Sequence, residues 1–358
     1  MLSATARVRT WRCGSANAVR LGLDCGVANL APTIRVQRFY VAVTIFRRFF
    51  IAFFLLPLCL PAGPALRAAS AYAIVDSQTG FVLDQQEGKQ KRQIGSLTKV
   101  AMAMVVLDWS EKRSGDLNQV VTIPPEAFVG TGENLIGFQP GDAITLRDLL
   151  YAALVQSDNV SAYTLANHVG GVLQSIVPSP SANATPVAVF VSQMNTLAKT
   201  LRMDRTRFVN PHGLDDHERS LPYSTAFDLA RLTRYAVKKA AFRFYVSQKE
   251  RQISFSRAGK KLGYMLRNTN ELLGANGVDG VKTGRTARAG DCLILSAQRE
   301  SEIVKEGPRT SVIPRQLIIV ILASPNRFPE GAQLLARGWQ LYDQWAAGGR
   351  MVDPKKTL

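Results

Sequence analysis

The sequence predicts a mixed α/β (α+β) fold, in which one β-sheet combines strands from both ends of a domain and helices lie between its two halves. Two observations predict this fold. Five short apolar runs have the composition and the flanking turn residues of strands, at 71–75, 81–83, 280–284, 291–297 and 316–323. The residues between the second and third runs mostly have helical spacing. Because two strands come from the start and three from the end, we expect one sheet around an inserted helical part.

These runs also set the expected boundaries. The domain is predicted at residues 69–350, with a tail at 351–358. Within the domain, the sheet is expected from 71–85 and 278–324, and the helical part from about 96 to 250. The chain has 358 residues, of which 46% are hydrophobic and 20% charged, so a substantial core is expected.

The first elements can be placed residue by residue. Ala71–Val75 is a strand, and Asp76–Gly80 is a turn that leads to its hairpin partner, Phe81–Leu83. A helix follows from Ser96, and its residues as far as Trp109 are apolar on nearly every side. Because a helix without a polar face must be buried, this helix is expected at the centre of the domain.

The remaining helices follow from apolar spacing and from turn residues at their ends. They are expected at 146–155, 160–169, 190–201, 224–238 and 330–345. Cys292 lies in the apolar run Cys-Leu-Ile-Leu and is expected to be a buried core residue. His212, Asp215 and His217 share a polar loop, but their spacing is not that of a metal site. No metal and no cofactor are expected.

The net charge of +17 is unusually positive and is unevenly distributed. Residues 1–68 contain nine arginines and one acidic residue, whereas the rest contains 35 basic and 26 acidic residues. A basic protein of this kind is attracted to nucleic acid or to an anionic envelope surface. The export signal described next favours the envelope, so no nucleic-acid partner is expected.

The N-terminal residues have the three parts of a secretory signal peptide. Arg47 and Arg48 precede an apolar run from Phe49 to Leu60, which is followed by small residues and prolines. We therefore predict a signal peptide at 44–68 and a non-structural extension at 1–43, with an organelle transit segment as the alternative. An uncleaved anchor is the alternative to cleavage, which leaves peripheral or N-terminal membrane association open. The expected location is the periplasm or cell envelope.

Ser96 and Lys99 are the first candidate catalytic pair. Residues three apart share one face of a helix, so the serine hydroxyl and the lysine amine can meet. A serine becomes a nucleophile when a neighbour takes its proton, and lysine can do so when burial lowers its pKa. A helix cap followed by a solvated lysine is the alternative at this point.

Two further motifs carry polar side chains. Ser157-Asp-Asn159 lies at a corner between two predicted helices, where a hydroxyl and an amide can face a cleft. Lys282-Thr-Gly284 lies in a predicted strand near the C-terminal end. Together with Ser96-Leu-Thr-Lys99, they form the motif set of penicillin-binding proteins and class A β-lactamases, in the same chain order.

Around these motifs the chain resembles the D-alanyl-D-alanine carboxypeptidases, the low-molecular-weight penicillin-binding proteins of the DD-peptidase/β-lactamase superfamily, over about residues 71–345. The segments that carry the resemblance are 72–76, 139–142, 208–215, 223–226 and 278–284. The resemblance implies a five-stranded antiparallel sheet flanked by helices, with an inserted all-helical subdomain.

The resemblance also implies a role for each motif residue. Ser96 is the acyl-ester nucleophile, Lys99 accepts its proton, and the backbone N–H groups of Ser96 and Arg285 form the oxyanion hole. Ser157 relays a proton to the leaving amine, and Asn159 aligns Lys99. The residues implied to bind the substrate are Lys282, Thr283, Gly284 and Arg285. Lys282 is also expected to keep Lys99 neutral by like-charge repulsion.

The implied activity is removal of the terminal D-alanine from peptidoglycan stem pentapeptides, with covalent binding of penicillin. Peptidoglycan stem peptides and β-lactam antibiotics are the expected partners, and the oligomeric state is not indicated. Because Lys282, Thr283 and Arg285 can bind a free carboxylate in a partly dehydrated pocket, carboxypeptidase activity is expected to exceed endopeptidase activity.

Two alternatives to this function remain open in the sequence. Asp158 gives the second motif its β-lactamase form, where the carboxypeptidases more often have glycine. A class A β-lactamase needs a downstream glutamate to activate water, and the chain has none between Glu133 and Glu218. The other alternative is a non-catalytic penicillin-binding wall protein, against which the intact motifs argue.

Overall fold

The structure, a computed structural model, describes residues 69–177, 181, 183–216, 220–307 and 309–358. The predicted extension and signal peptide lie outside the described residues. The strands are β1 (Ala71–Asp76), β2 (Val82–Gln86), β3 (Val120–Thr122), β4 (Ala143–Thr145), β5 (Glu250–Arg257), β6 (Lys260–Arg267), β7 (Val278–Thr286), β8 (Gly290–Glu306) and β9 (Arg309–Ser324). The α-helices are α1 (Thr98–Arg113), α2 (Leu146–Val155), α3 (Asn159–Gln174), α4 (Pro186–Thr200), α5 (Ala226–Val237), α6 (Ala240–Val246) and α7 (Arg327–Ala347).

The main sheet has five strands in the order β2-β1-β9-β8-β7, and every neighbouring pair is antiparallel. The first two strands in the chain and the last three therefore form one sheet, which confirms the predicted fold class. Strand β7 lies at one edge of this sheet, so its outer side is open to the helical part of the molecule. A second edge is formed by β2.

The helical part is not all helical, because it contains a second sheet in the order β3-β4-β5-β6. Strands β3 and β4 have three residues each, which is too short for a period-two pattern to stand out. Strands β5 and β6 form a hairpin around Ala258 and Gly259, which have φ of 47° and 79°. Two consecutive residues with positive φ are typical of a tight hairpin turn, and this Ala-Gly pair was the available sequence signal.

Helix α1 is the centre of the larger hydrophobic core, as predicted from its composition. Thr98–Leu107 is buried almost throughout and packs among the other helices on one face of the main sheet. A short 3₁₀ turn, Gly95–Leu97, precedes the helix, so Ser96 lies just outside the α-helix that was expected to begin with it. The first turn of the α-helix still places the Lys99 side chain beside Ser96.

Helix α7 covers the other face of the main sheet and forms a second, smaller core with residues such as Ile74, Leu295 and Trp339. The last described residues return to the sheet, where the Leu358 N–H donates to the Gly80 carbonyl at 3.0 Å. No helix in the described part of the chain has the length and hydropathy needed to cross a membrane.

Candidate active site

Ser96 lies where the turn before α1 meets the edge strand β7. Gly95 has φ of 52°, and a Cβ at this residue would lie 3.0 Å from the Arg285 nitrogen. A Cβ at Gly284 would lie 2.7 Å from the Ile94 carbonyl oxygen and 3.2 Å from the Ser96 nitrogen. The two glycines therefore allow the turn and the strand to approach closely, and the backbone nitrogens of Ser96 and Arg285 border the same narrow gap.

The Lys99 amine is fully buried and donates to three oxygens from different parts of the chain. Its Nζ lies 2.9 Å from Ser96 Oγ, 2.6 Å from Asn159 Oδ1 and 3.0 Å from the carbonyl oxygen of His212. Burial lowers the pKa of Lys99 to about 7, although the nearby Asp158 carboxylate opposes this shift. A large share of Lys99 is therefore neutral at neutral pH and can accept the Ser96 proton.

Asn159 fixes the amine by linking it to the loop before β4. Its Nδ2 group donates to the carbonyl of Thr131 at 2.7 Å, which orients the amide oxygen towards Lys99. Ser157 has φ of 68°, a left-handed conformation that is unusual for serine and follows from the sharp corner between α2 and α3. Ser157, Asn159 and Arg285 line one cavity of about 310 Å³.

Asp158 has a local structural role that the sequence did not indicate. Its buried carboxylate caps helix α3 by accepting a hydrogen bond from the Ser161 nitrogen at 2.6 Å. Burial raises the pKa of Asp158, with the Ser161 hydrogen bonds and Lys99 acting in the opposite direction. Aspartate at this residue therefore stabilises the corner that carries Ser157 and Asn159.

Lys282 and Thr283 lie on β7, the edge strand. Lys282 is 1% exposed, and its Nζ donates to the carbonyl of Thr283 at 3.0 Å. Burial lowers the pKa of Lys282 well below its usual value, and the charges of Lys99 and Arg327 lower it further. The hydroxyls of Thr283 and Thr269 form a 2.6 Å hydrogen bond.

Lys282 was expected to keep Lys99 neutral by repulsion, but burial is what lowers the pKa of Lys99. The repulsion acts on Lys282 instead, where the charge of Lys99 adds to burial in lowering the pKa.

Arg285 is the exposed cation of the site. Its side chain is 77% exposed and pairs with Asp291 at 3.4 Å, on the opposing residue of β8. Sequence reasoning missed Arg327, which begins α7 and donates from Nη1 to the Gly284 carbonyl at 3.0 Å. No sequence signal joined Arg327 to the motif, since it lies more than forty residues away on another element.

The loop that contains His212 contributes a backbone carbonyl to the site, not a side chain. Asn210 Oδ1 shapes the turn by accepting from the nitrogens of His212 and Gly213 at 3.2 and 2.6 Å. Burial and the Lys99 charge lower the pKa of His212 to about 3, so its ring is neutral. His217 lies outside the described residues. Among the residues that the structure describes, no group of His, Cys, Asp or Glu is suited to a metal ion.

Cys292 is buried and free, and burial raises its pKa to about 11. Its prediction as a core residue is confirmed. The reactive geometry is therefore that of Ser96 and Lys99: a hydroxyl beside an amine with a pKa near neutrality and two backbone nitrogens close by. Such an arrangement supports acyl transfer through a covalent serine ester.

Comparisons with known proteins agree with this chemistry. A family model described as D-alanyl-D-alanine carboxypeptidase matches residues 61–305, which is more than half of the chain. D-alanyl-D-alanine carboxypeptidase DacC of Escherichia coli strain K12 is 28% identical over 285 residues, covering 77% of this chain and 62% of that protein. The chain thus spans about three fifths of the length of this curated relative.

Two further similar proteins are named for other activities. A D-alanyl-D-alanine endopeptidase of Pseudomonas aeruginosa is 34% identical over 242 residues, covering 66% of this chain and 69% of that protein. The crystal structure of the Streptomyces K15 DD-transpeptidase superposes with a TM-score of 0.63 at 27% identity, covering 76% of this chain and 97% of the other. The resemblance stated from the motifs is confirmed, and the chain belongs to the D-alanyl-D-alanine carboxypeptidase family.

Proposed function

We propose that this protein is a serine-type D-Ala-D-Ala carboxypeptidase that removes the terminal D-alanine from peptidoglycan stem pentapeptides through an acyl-enzyme on Ser96. The observation that carries the proposal is the 2.9 Å contact between Lys99 Nζ and Ser96 Oγ at a buried site in a chain of this family. β-Lactam antibiotics are expected to acylate the same serine.

The first half of the reaction forms the acyl-enzyme. Neutral Lys99 takes the Ser96 proton while Oγ attacks the carbonyl between the two D-alanines. The N–H groups of Ser96 and Arg285 then stabilise the oxyanion. Asn159 and the His212 carbonyl hold the ammonium of Lys99 in place once it has formed.

The second half releases the products. The proton moves from Lys99 through Ser157 to the leaving amine, and D-alanine departs. A water molecule then attacks the ester with Lys99 as base, which releases the shortened peptide and restores the Ser96 hydroxyl. This role is supported by the location of Ser157, which lines the same cavity as Asn159.

Selectivity for a free C-terminus follows from the groups on β7. Lys282 and Thr283 offer hydrogen-bond donors, and Arg285 offers a charge at the rim. A terminal carboxylate gains charge-assisted hydrogen bonds there that a carboxamide lacks. Free-acid pentapeptides should therefore be cleaved faster than their C-terminal amides.

The test is D-alanine release from a stem pentapeptide, together with covalent labelling by a fluorescent penicillin. Ser96→Ala should abolish both, whereas Ser192→Ala, a serine on α4 outside the site, should preserve both. Labelling of another residue in Ser96→Ala would disprove the assignment. Rapid turnover of penicillin would favour the β-lactamase alternative, and labelling without any D-alanine release would favour the non-catalytic one.

Endopeptidase activity is the second candidate, because a relative with that activity in its name is 34% identical over 242 residues. An internal cross-link presents its peptide bond without a neighbouring terminal carboxylate unless the acceptor strand supplies one. Cleavage rates for a cross-linked muropeptide dimer and for a pentapeptide, measured on the same preparation, decide between the two. A dimer rate equal to the pentapeptide rate would establish the endopeptidase.

The proposed location is the cell envelope after export, where the substrate lies. The excess of basic over acidic residues favours attraction to an anionic envelope surface. Binding to isolated wall or membrane should weaken as salt increases, since exposed charges are screened. Fractionation of cells that produce the protein tests the location, and recovery in the cytosol alone would reject it.

A further inference from the structure

We propose that Asp291 is a positioning residue that sets the affinity of the site for a substrate carboxylate by competing for the guanidinium of Arg285. This inference rests on the proposed function, since it concerns the carboxylate of that substrate. None of the motifs contains Asp291, and it enters the site only through the pairing of β7 with β8.

One oxygen of Asp291 contacts two arginines. Oδ1 lies 3.4 Å from Arg285 Nε and 3.3 Å from Arg327 Nη1. Asp291 faces Arg285 directly across the β7–β8 ladder, so the backbone holds the carboxylate beside this guanidinium. Three side chains from three elements therefore meet at the end of the strand that carries the Lys-Thr-Gly motif.

The two arginines differ in how firmly they are held. Arg327 is 16% exposed and also donates to the Gly284 carbonyl, so it stays attached to the strand without Asp291. The Arg285 side chain is 77% exposed and has a loose contact with Asp291. Exposed ion pairs contribute at most about 1 kcal/mol, so another anion can replace Asp291 at Arg285 at little cost.

Glu133 lines the same cavity as Arg285 without an ion pair between the two among the described residues, and two further carboxylates are held elsewhere. Asp158 is buried at the start of α3 beside Lys99. Asp215 is buried and accepts from the hydroxyl of Thr286. Asp291 is thus the carboxylate in ion-pair contact with Arg285 within the described residues, and a substrate carboxylate at the rim must displace it to reach that guanidinium.

Asp291→Asn keeps the shape of the side chain and removes its charge. We expect KM for a free-acid pentapeptide to fall about three- to tenfold, with little change in kcat, because the added binding is equal in the ground and transition states. The KM of the C-terminal amide should not change. Asp291→Glu keeps the charge and should retain the wild-type ratio of the two KM values.

A matched control is available on helix α7, which packs on the same sheet. Asp343 also bridges two arginines, with contacts of 3.1 Å to Arg299 and 2.8 Å to Arg315, but these arginines lie against α7. Asp343→Asn should leave both KM values unchanged. If it lowers KM as much as Asp291→Asn does, the effect is one of overall charge and the proposal is wrong.

A double-mutant cycle separates a direct effect from a structural one. If Asp291 acts through Arg285, Asp291→Asn should have no effect on KM in an Arg285→Gln background. An undiminished effect there, or a change in kcat with constant KM, overturns the proposal. Asp291→Ser serves as a second neutral variant if Asp291→Asn does not fold.

The outcome can be distinguished from failure of the proposed function. If the wild-type protein is acylated by penicillin but releases no D-alanine, the carboxypeptidase function fails. The carboxylate question is then answered by acylation rate constants for penicillin and its methyl ester, which should diverge further in Asp291→Asn. The same acid-to-ester ratio of rate constants in both proteins would reject the role of Asp291 and leave carboxylate recognition by the site intact.

Discussion

The Thr286 hydroxyl donates a hydrogen bond to Asp215 Oδ2 at 3.0 Å, which joins the end of strand β7 to the loop whose His212 carbonyl holds Lys99. The other oxygen of Asp215 is buried without a hydrogen-bond partner among the described residues. The single bond to Thr286 therefore provides most of the compensation for burying this carboxylate.

Replacing Thr286 with valine conserves volume and removes both this bond and the one that the hydroxyl accepts from the Ala289 nitrogen at 2.9 Å. Because a buried acceptor is left unsatisfied, the free energy of unfolding should fall by about 1–3 kcal/mol. The rate constant for penicillin acylation should also fall as the His212 loop loosens. Thr310→Val, on an exposed part of β9, is the control in denaturant titrations and should change neither quantity.

The acylation rate should rise with pH as Lys99 loses its proton. With the pKa of Lys99 at about 7, the acid limb of the rate profile should have its midpoint near pH 7 in the free protein. Second-order rate constants for penicillin acylation between pH 5 and pH 9 check this expectation. A midpoint above pH 9 would show that Lys99 remains an ammonium at neutral pH, which contradicts a lowered pKa.

Asp158→Asn should move this midpoint to lower pH. The Asp158 carboxylate raises the pKa of Lys99, and asparagine removes the charge while remaining a good helix cap. Thr145→Ala removes the cap of helix α2 instead, where Thr145 accepts from the Asp148 nitrogen at 3.1 Å. This control should lower the melting temperature without moving the midpoint.

When both effects are expressed as free energies, Gly284→Ala should raise the barrier to acylation by more than it lowers the free energy of unfolding. The new methyl group would lie 2.7 Å from the Ile94 carbonyl oxygen, so β7 must move away from the Ser96 turn. Loss of one oxyanion donor typically costs about 10²- to 10³-fold in rate. Gly263→Ala on β6, whose nearest neighbour would be the flexible end of Gln252 at 3.4 Å, should be acylated at the wild-type rate.

The free energy of unfolding should depend on the protonation of Lys99. The pKa of Lys99 is about 7 in the folded protein against 10.5 for a free lysine, so the unfolded chain binds more protons between these values. The free energy of unfolding should therefore rise with pH between about 7 and 10.5. Urea titrations at several pH values measure this slope, and it should be smaller in Lys99→Met.

The motifs predicted that Ser96 and Lys99 would meet, because the two residues are close in the chain and a helical turn brings them together. The fold class followed from strand patterns at both ends. The His212 carbonyl could not be predicted, since it is a backbone atom 113 residues from Lys99 and any residue type would supply it. Arg327 and Asp291 reach the site only through sheet pairing and packing, which leave no local pattern in the sequence.

Lys99 lies on helix α1, in which Met102 and Met104 are also fully buried. The pKa of Lys99 therefore depends on how completely water is excluded from the surroundings of this helix. Any opening that lets water reach the amine would restore an ordinary ammonium and stop the reaction, even if the backbone stayed folded. Activity should consequently disappear at lower denaturant concentrations than helical structure does. The acylation rate therefore reports when water enters the protein interior.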